Sequence, residues 1–295
     1  MQSQELYKDQ KGRGMQVAQC TDPITYHGEG PVWSEAWGGL RWVDMLAGDI
    51  LSLGADGEVS RRNVGTVAAA LRPRRDGGAV IGTERGFLLE DAQGNPIETI
   101  AAFQGEGIRM NDGACDPDGR FYCGSMAYDQ RTGAGTLYRL DPDRSVKPVL
   151  SGVTISNGLD WSPDGTLAYY ADTPTNSIVV FDYAHDVGLT DQRVFVSLAD
   201  HELPDGLTVD AEGGVWVAMN GSGQVRRYTP EGSLDEIVEV PARQVTACTL
   251  GGPNLTDLYI TTSRENLAPD DDPLAGALFC ARVTVPGQPV RAFAG

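Results

Sequence analysis

Apolar and polar positions alternate with a period of two through most of the chain, in short runs broken by Gly, Pro, Asn and Asp. That pattern predicts brief β-strands joined by tight turns. The run GGLRWVDM at 38–45 opens with such a turn, and five further stretches follow the same plan: GGAVIGT (77–83), GRFYCGS (119–125), GTLAYYAD (165–172), GGVWVAMN (213–220) and TDLYITT (256–262). A second short strand follows each of them, as GDILSL, GFLLE, GTLYRL, NSIVVFD, GQVRRY and GALFCARV. Further strand-like runs such as RVFVSL (193–198) and EIVEV (236–240) lie between units. No long stretch has the 3.6-residue period of an amphipathic helix.

Roughly four strands every 40–50 residues, six times over, predicts an all-β six-bladed β-propeller with four-stranded blades around a central channel. A β-sandwich or jelly roll also has many short strands, but it does not repeat one strand–turn–strand unit six times. Ring closure is expected from a segment near a terminus, either MQVAQC (15–20) or VRAFAG (290–295). The organisation expected is a flexible leader over 1–15, with Met15 a candidate start, and a single domain over 16–295.

Composition narrows the partners. The 295 residues carry a formal charge of −18, which argues against nucleic acid, because phosphate binding needs a basic surface. No apolar run approaches the ~20 residues of a membrane span, and the polar first residues lack the apolar core of a secretory signal. Five cysteines, odd in number and without a CxxC pair, predict reduced thiols in a cytoplasmic protein. No obligate protein partner is evident. The GxSxG, HExxH and GxxxxGK[ST] motifs are absent, so serine-hydrolase, zincin and P-loop chemistries have no residues to stand on.

The repeat brings its own alignment. The Ser or Asp that opens the turn in four units is Ser34, Asp116, Ser162 or Asp210; five positions earlier stand Glu29, Asn111, Asn157 and Asp205. The best register of the other two units places Ala69 and Ala247 there. Equivalent positions on the innermost strands of a propeller converge at one mouth of its channel. Two carboxylates and two amides would then meet around one axis, and the carboxylates would repel unless a cation neutralised them. An all-oxygen set suits one hard divalent ion, Ca²⁺ first, with Mg²⁺ or Mn²⁺ next and Zn²⁺ or Fe²⁺ also able to enter. Three or four protein ligands leave coordination positions open, as metal-assisted hydrolysis requires. Singly, Asn157 and Asp205 read as turn residues; only the shared register makes them ligands. The three histidines are too few and scattered for a His-based centre, and Cys115 and Cys123 read as core.

Four blocks, GEGPVW (28–33), RMNDGACDPDGRFYCGSM (109–126), SNGLDWSPDG (156–165) and PDGLTVDAEGGVWVA (204–218), resemble the motif blocks of the SMP-30/gluconolactonase/luciferin-regenerating-enzyme family. The resemblance runs from about residue 20 to the end. It implies a six-bladed propeller with a divalent metal in the channel and, as substrate, a sugar lactone. The family's metal ligands fall on Glu29, Asn157 and Asp205. Asn111 matches a residue that contacts substrate or serves as a further ligand, and Arg109 matches a substrate-contacting arginine. Sugar-lactonase members carry an acidic pair after a GTM-like segment. Here that stretch is GSMAYDQ, so Asp129 takes the acidic position and Tyr128 replaces its neighbour.

The reaction implied is hydrolysis of an aldonolactone to the aldonic acid. The metal would polarise the carbonyl and stabilise the oxyanion. The attacking water would be activated by Asp205 as general base or by the ion itself. Arg109, Asn111 and Asp129 would hold the polyol. Two other readings remain open at this stage: hydrolysis of a different ester such as a phosphotriester, and a non-catalytic binding propeller.

Overall fold

The computed structural model describes residues 16–268 and 270–295; the leader expected over 1–15 lies outside the described residues. The period-two runs form twenty-four strands, of which β1 (Val17–Gln19) belongs to the last blade. Blade one holds β2 (Gly28–Ser34), β3 (Gly39–Asp44), β4 (Asp49–Leu53) and β5 (Val59–Asn63). Blade two holds β6 (Ala70–Pro73), β7 (Ala79–Gly82), β8 (Gly86–Glu90) and β9 (Pro96–Ala101). β10 (Ile108–Cys115), β11 (Phe121–Ala127), β12 (Gly135–Leu140) and β13 (Val146–Val153) make blade three. Blade four is β14 (Ser156–Trp161), β15 (Leu167–Asp172), β16 (Ser177–Ala184) and β17 (Gly188–Ser197). β18 (Leu203–Val209), β19 (Val215–Asn220), β20 (Gln224–Tyr228) and β21 (Leu234–Glu239) make blade five. The first five blades pair their strands in chain order, all antiparallel. The only helices among the described residues are three 3-10 turns, Glu35–Trp37, Met45–Ala47 and Thr173–Thr175.

Blade six closes the ring. Its inner strands β22 (Val245–Gly251), β23 (Asp257–Thr262) and β24 (Phe279–Arg282) are completed by β1, which pairs Val17 with Ala281 and Gln19 with Phe279. Of the two expected closing segments, MQVAQC therefore supplies the strand. The C-terminal stretch does something else: Phe293 bridges Arg74 and is fully buried. Gln288 Nε2 donates to the Trp161 and Val209 carbonyls, and Arg291 Nη2 to that of Ser162. Gln288, Pro289, Val290 and Arg291 line a small cavity of about 60 Å³ among the far ends of the inner strands, and so close one mouth of the channel.

Each blade packs against a neighbour on both faces, so the inner strands are not half-polar in the manner of a sandwich. β11 is buried at every position, whereas the outermost strand of blade two, β9, is almost wholly exposed. The apolar clusters run from blade to blade. One joins Val43, Val80, Phe121 and Phe293, and another joins Tyr122, Trp161 and Tyr170. The DPDG turn also has more to do than reverse the chain. Asp116 is fully buried, accepts the Asp118 and Arg120 amides, and bonds Arg120 Nε at 2.6 Å and the Tyr183 hydroxyl at 2.7 Å.

Candidate metal centre and substrate pocket

Regular pairing is interrupted at the same place on five inner strands. The register slips between Glu29 and Val32, Met110 and Gly113, Ser156 and Leu159, Pro204 and Leu207, and Val245 and Ala247. A bulge bends its strand and re-aims a side chain. Here it turns Glu29, Asn111, Asn157 and Asp205 toward the axis, and all four are buried. In blades four and five a glycine follows because the neighbouring blade is so close: a Cβ on Gly158 would lie 2.5 Å from the Leu207 nitrogen, and one on Gly206 would lie 2.5 Å from the Ala247 Cβ. The bulge in blade six falls on Thr246 rather than on Ala247, the position the sequence alignment picked. Its hydroxyl donates to the Gly28 carbonyl at 2.5 Å, so it ties blade six to blade one.

The four side chains meet in one cavity of about 230 Å³, whose lining also includes His27, Arg109, Gln130, Thr173, Asn220, Gln244 and Glu265. Asn157 Nδ2 donates to Thr173 Oγ1 at 2.7 Å, and that hydroxyl donates on to the Pro204 carbonyl at 2.8 Å. The amide oxygen of Asn157 is thereby turned inward, where Asn111 Nδ2 donates to it at 3.0 Å. Asn111 Oδ1 is held in turn by Arg109 Nη1 at 2.6 Å. Asn111 as it stands links Arg109 to Asn157 rather than offering a free oxygen. Asn220 Nδ2 fixes one oxygen of Asp205 at 2.8 Å. The other, Oδ1, is buried with no hydrogen-bond partner.

The electrostatics of the carboxylates follow from this burial. Removal from water pushes Asp205 up to about 8, with Asp112 adding repulsion against the Asn220 hydrogen bond. Glu29 rises well above the usual carboxylate range through burial and then repulsion from Asp205. Two acids that cannot comfortably ionise together, beside inward amide oxygen and an orphaned carboxylate oxygen, fit a divalent cation with oxygen ligands. No group of three or more His, Cys, Asp or Glu side chains is placed to hold a metal among the described residues; the donor set is two carboxylates plus amide oxygen.

Asp129 is not brought to the centre. It is exposed, and both its oxygens bond Arg131 Nη1, at 3.0 and 3.1 Å; the next residue, Gln130, lines the cavity instead. Arg109 is in place, with its guanidinium 5.9 Å from the centre of the Tyr128 ring. Cys115 and Cys123 are core residues whose thiols burial pushes up. Sequence reasoning missed Thr173, Asn220 and His27. The polar end of the apolar run VWVAMN signals Asn220. His27 stands two residues before Glu29, yet three scattered histidines gave no pattern. Its ring is buried, which lowers its pKa to about 3 with Arg109 adding repulsion, and Nδ1 lies 2.8 Å from Ser263 Oγ.

Fold and site together define a six-bladed propeller with a buried, oxygen-rich polar centre at the open mouth of its channel. The model of the SMP-30/gluconolactonase/LRE-like region matches residues 27–264, and the chain belongs to that family. It is 35% identical to the 6-deoxy-6-sulfogluconolactonase of Pseudomonas putida, over 91% of this chain and 95% of that protein. Among solved structures, a luciferin-regenerating enzyme superposes with a TM-score of 0.86 at 27% identity, covering 96% of this chain and all of that one. A calcium-binding protein, regucalcin, from Agrobacterium tumefaciens superposes with a TM-score of 0.85 at 29% identity, over 93% and 95% of the two chains.

Proposed function

We propose that this protein is a divalent-metal-dependent lactonase that opens a sugar lactone to its aldonic acid. The observation that carries the reading is Asp205: a buried carboxylate with one oxygen pinned by Asn220 and the other unpartnered at the cavity. Family membership and lactonase-named relatives support the reaction class, and the regucalcin structure described as calcium-binding supports Ca²⁺ as the ion. Glu29, Asn157 and Asp205 would hold the cation, which when bound supplies Lewis-acid polarisation of the lactone carbonyl.

The chain's own residues supply the rest. Arg109, held in place by Asn111, orients the ring ester by hydrogen bonds to its oxygens. Asp205 takes a proton from water as that water adds to the carbonyl carbon. The bond from carbonyl carbon to ring oxygen then breaks, and the ring oxygen leaves as a hydroxyl carrying the proton returned by Asp205. The bulges fix these groups on strands rather than on loops, so little reorganisation accompanies the reaction. The cavity wall is rich in Gln, Asn, Arg and Glu, which suits a polyhydroxylated substrate better than an apolar phosphotriester. Asp205→Asn keeps the shape of the side chain and removes the base, so kcat is expected to fall at least about 100-fold. Full turnover by Asp205→Asn, followed as pH drop, would remove Asp205 from that role.

A further inference from the structure

The residue expected to receive substrate hydroxyls on sequence grounds, Asp129, is spent on Arg131 at the surface. A different carboxylate lines the cavity. Glu265 follows β23 on blade six, diametrically opposite blade three, which carries Arg109. Its placement is fixed from several sides. The Glu265 amide donates to Ser263 Oγ at 3.0 Å, and its Oε2 lies 3.4 Å from His27 Nδ1. The loop itself is stapled to the approach to blade one by Arg264, whose amide donates to the Tyr26 carbonyl at 2.9 Å and whose Nε donates to the Thr25 carbonyl at 3.0 Å. The side chain nevertheless keeps 30% of its surface open.

Arg109 complements it. Nη1 is taken up by Met45, Met110 and Asn111, while Nη2 has no hydrogen-bond partner among the described residues. Burial weakens the hold of this guanidinium on its proton, and Glu265 is the carboxylate that offsets this most. A cavity with a donor-only cation on one wall and an acceptor-only anion on the other is matched to hydroxyl groups, each of which can donate and accept.

We propose that Glu265 is the substrate-hydroxyl acceptor of this site, held by His27 and Ser263, and that it selects uncharged polyhydroxylated lactones over anionic ones. The inference rests on the lactonase reading for its substrate class. A hydroxyl loses a charged partner when Glu265 becomes Gln, and an anion loses a repulsive one.

The test compares wild type, Glu265→Gln and Glu265→Asp on glucono-δ-lactone, unsubstituted δ-valerolactone and the carboxylate-bearing glucaro-1,4-lactone, with glucitol binding followed by calorimetry. For Glu265→Gln, kcat/KM for glucono-δ-lactone relative to δ-valerolactone is expected to fall about tenfold, mainly through KM. The same ratio for glucaro-1,4-lactone is expected to rise, glucitol affinity to fall, and Glu265→Asp to recover part of each loss. Unchanged ratios and unchanged glucitol affinity in an active protein would overturn the Glu265 proposal and leave the lactonase reading standing. Wild type that hydrolyses none of the three, yet binds glucitol through Glu265, would uphold the acceptor role and overturn the lactonase reading. Neither turnover nor glucitol binding would overturn both.

Discussion

Asp205 and Glu29 are the residues on which most of the proposed chemistry turns, and their discomfort can be measured without any substrate. Burial raises both acids in the folded chain, with repulsion from Asp112 adding to it at Asp205 and repulsion from Asp205 adding to it at Glu29. An acid raised on folding favours the folded state below its ordinary value and withdraws that support as pH climbs through the folded value. For Asp205 the window runs from its ordinary 3.8 to about 8. Metal-free Asp205→Asn should therefore be more heat-stable than the metal-free wild type, by a margin that widens from about pH 5 to 8. Calcium should close that margin and release protons as it binds at neutral pH. Scanning calorimetry across pH, with and without calcium, reads both effects; a margin that ignores pH would show that Asp205 ionises freely. The residue identities were legible because the repeat put Glu29, Asn111, Asn157 and Asp205 in one register. The partners that orient them were not, since Thr173 opens a 3-10 turn and Asn220 ends a strand, both places where a polar residue is ordinary.

A β-bulge is the device that brings these strands' polar side chains into one cavity. The slips in register on β2, β10, β14 and β18 convert positions that would pack between blades into positions that face the axis. Asn-Gly and Asp-Gly in sequence announce a turn, and a turn was the natural expectation; in the fold these glycines make room for the adjacent blade within the strand. The element that holds the Asn157 amide is the 3-10 turn Thr173–Thr175, through the Thr173 hydroxyl. Thr173→Val should leave the fold intact and weaken calcium binding about 10–100-fold, as loss of a partner that orients a ligand does. Thr173→Ser, which keeps the hydroxyl, should bind nearly as wild type. Equal calcium affinities in isothermal titration of all three would show that Thr173 does not orient the ligand. Asp129 marks the opposite limit of sequence reading: its block was recognisable, but Arg131, two residues on, takes its carboxylate away from the cavity.

At the scale of the whole molecule, the six-fold repeat carried most of the architecture, because each blade must bury both faces against its neighbours. Blade count and the four-stranded blade follow from the periodic pattern, which left MQVAQC and VRAFAG both open as the closing strand until the pairing of β1 with β24 decided for the first. The closed mouth does not follow from that pattern, since the segment from Gln288 to Phe293 has no strand periodicity and works by individual side-chain contacts and one isolated bridge. Phe293 sits fully buried in the cluster that joins blades one to three. Phe293→Ala is expected to cost about 3–5 kcal/mol of stability, read as a lower denaturant midpoint, with kcat retained where the protein stays folded. A surface-like cost of under ~0.5 kcal/mol would deny the segment that structural role. The same plug leaves the polar centre at the other mouth as the channel's way in for a small lactone. The measurement that tests the central claim most directly is hydrolysis of a panel of aldonolactones by chelator-stripped protein, followed as pH drop, with and without added Ca²⁺, Mg²⁺, Mn²⁺, Zn²⁺ or Fe²⁺. Turnover above the spontaneous rate that appears only when a divalent ion is restored is the predicted result. Turnover that is indifferent to the ion, or absent with every pairing of ion and lactone, would contradict it.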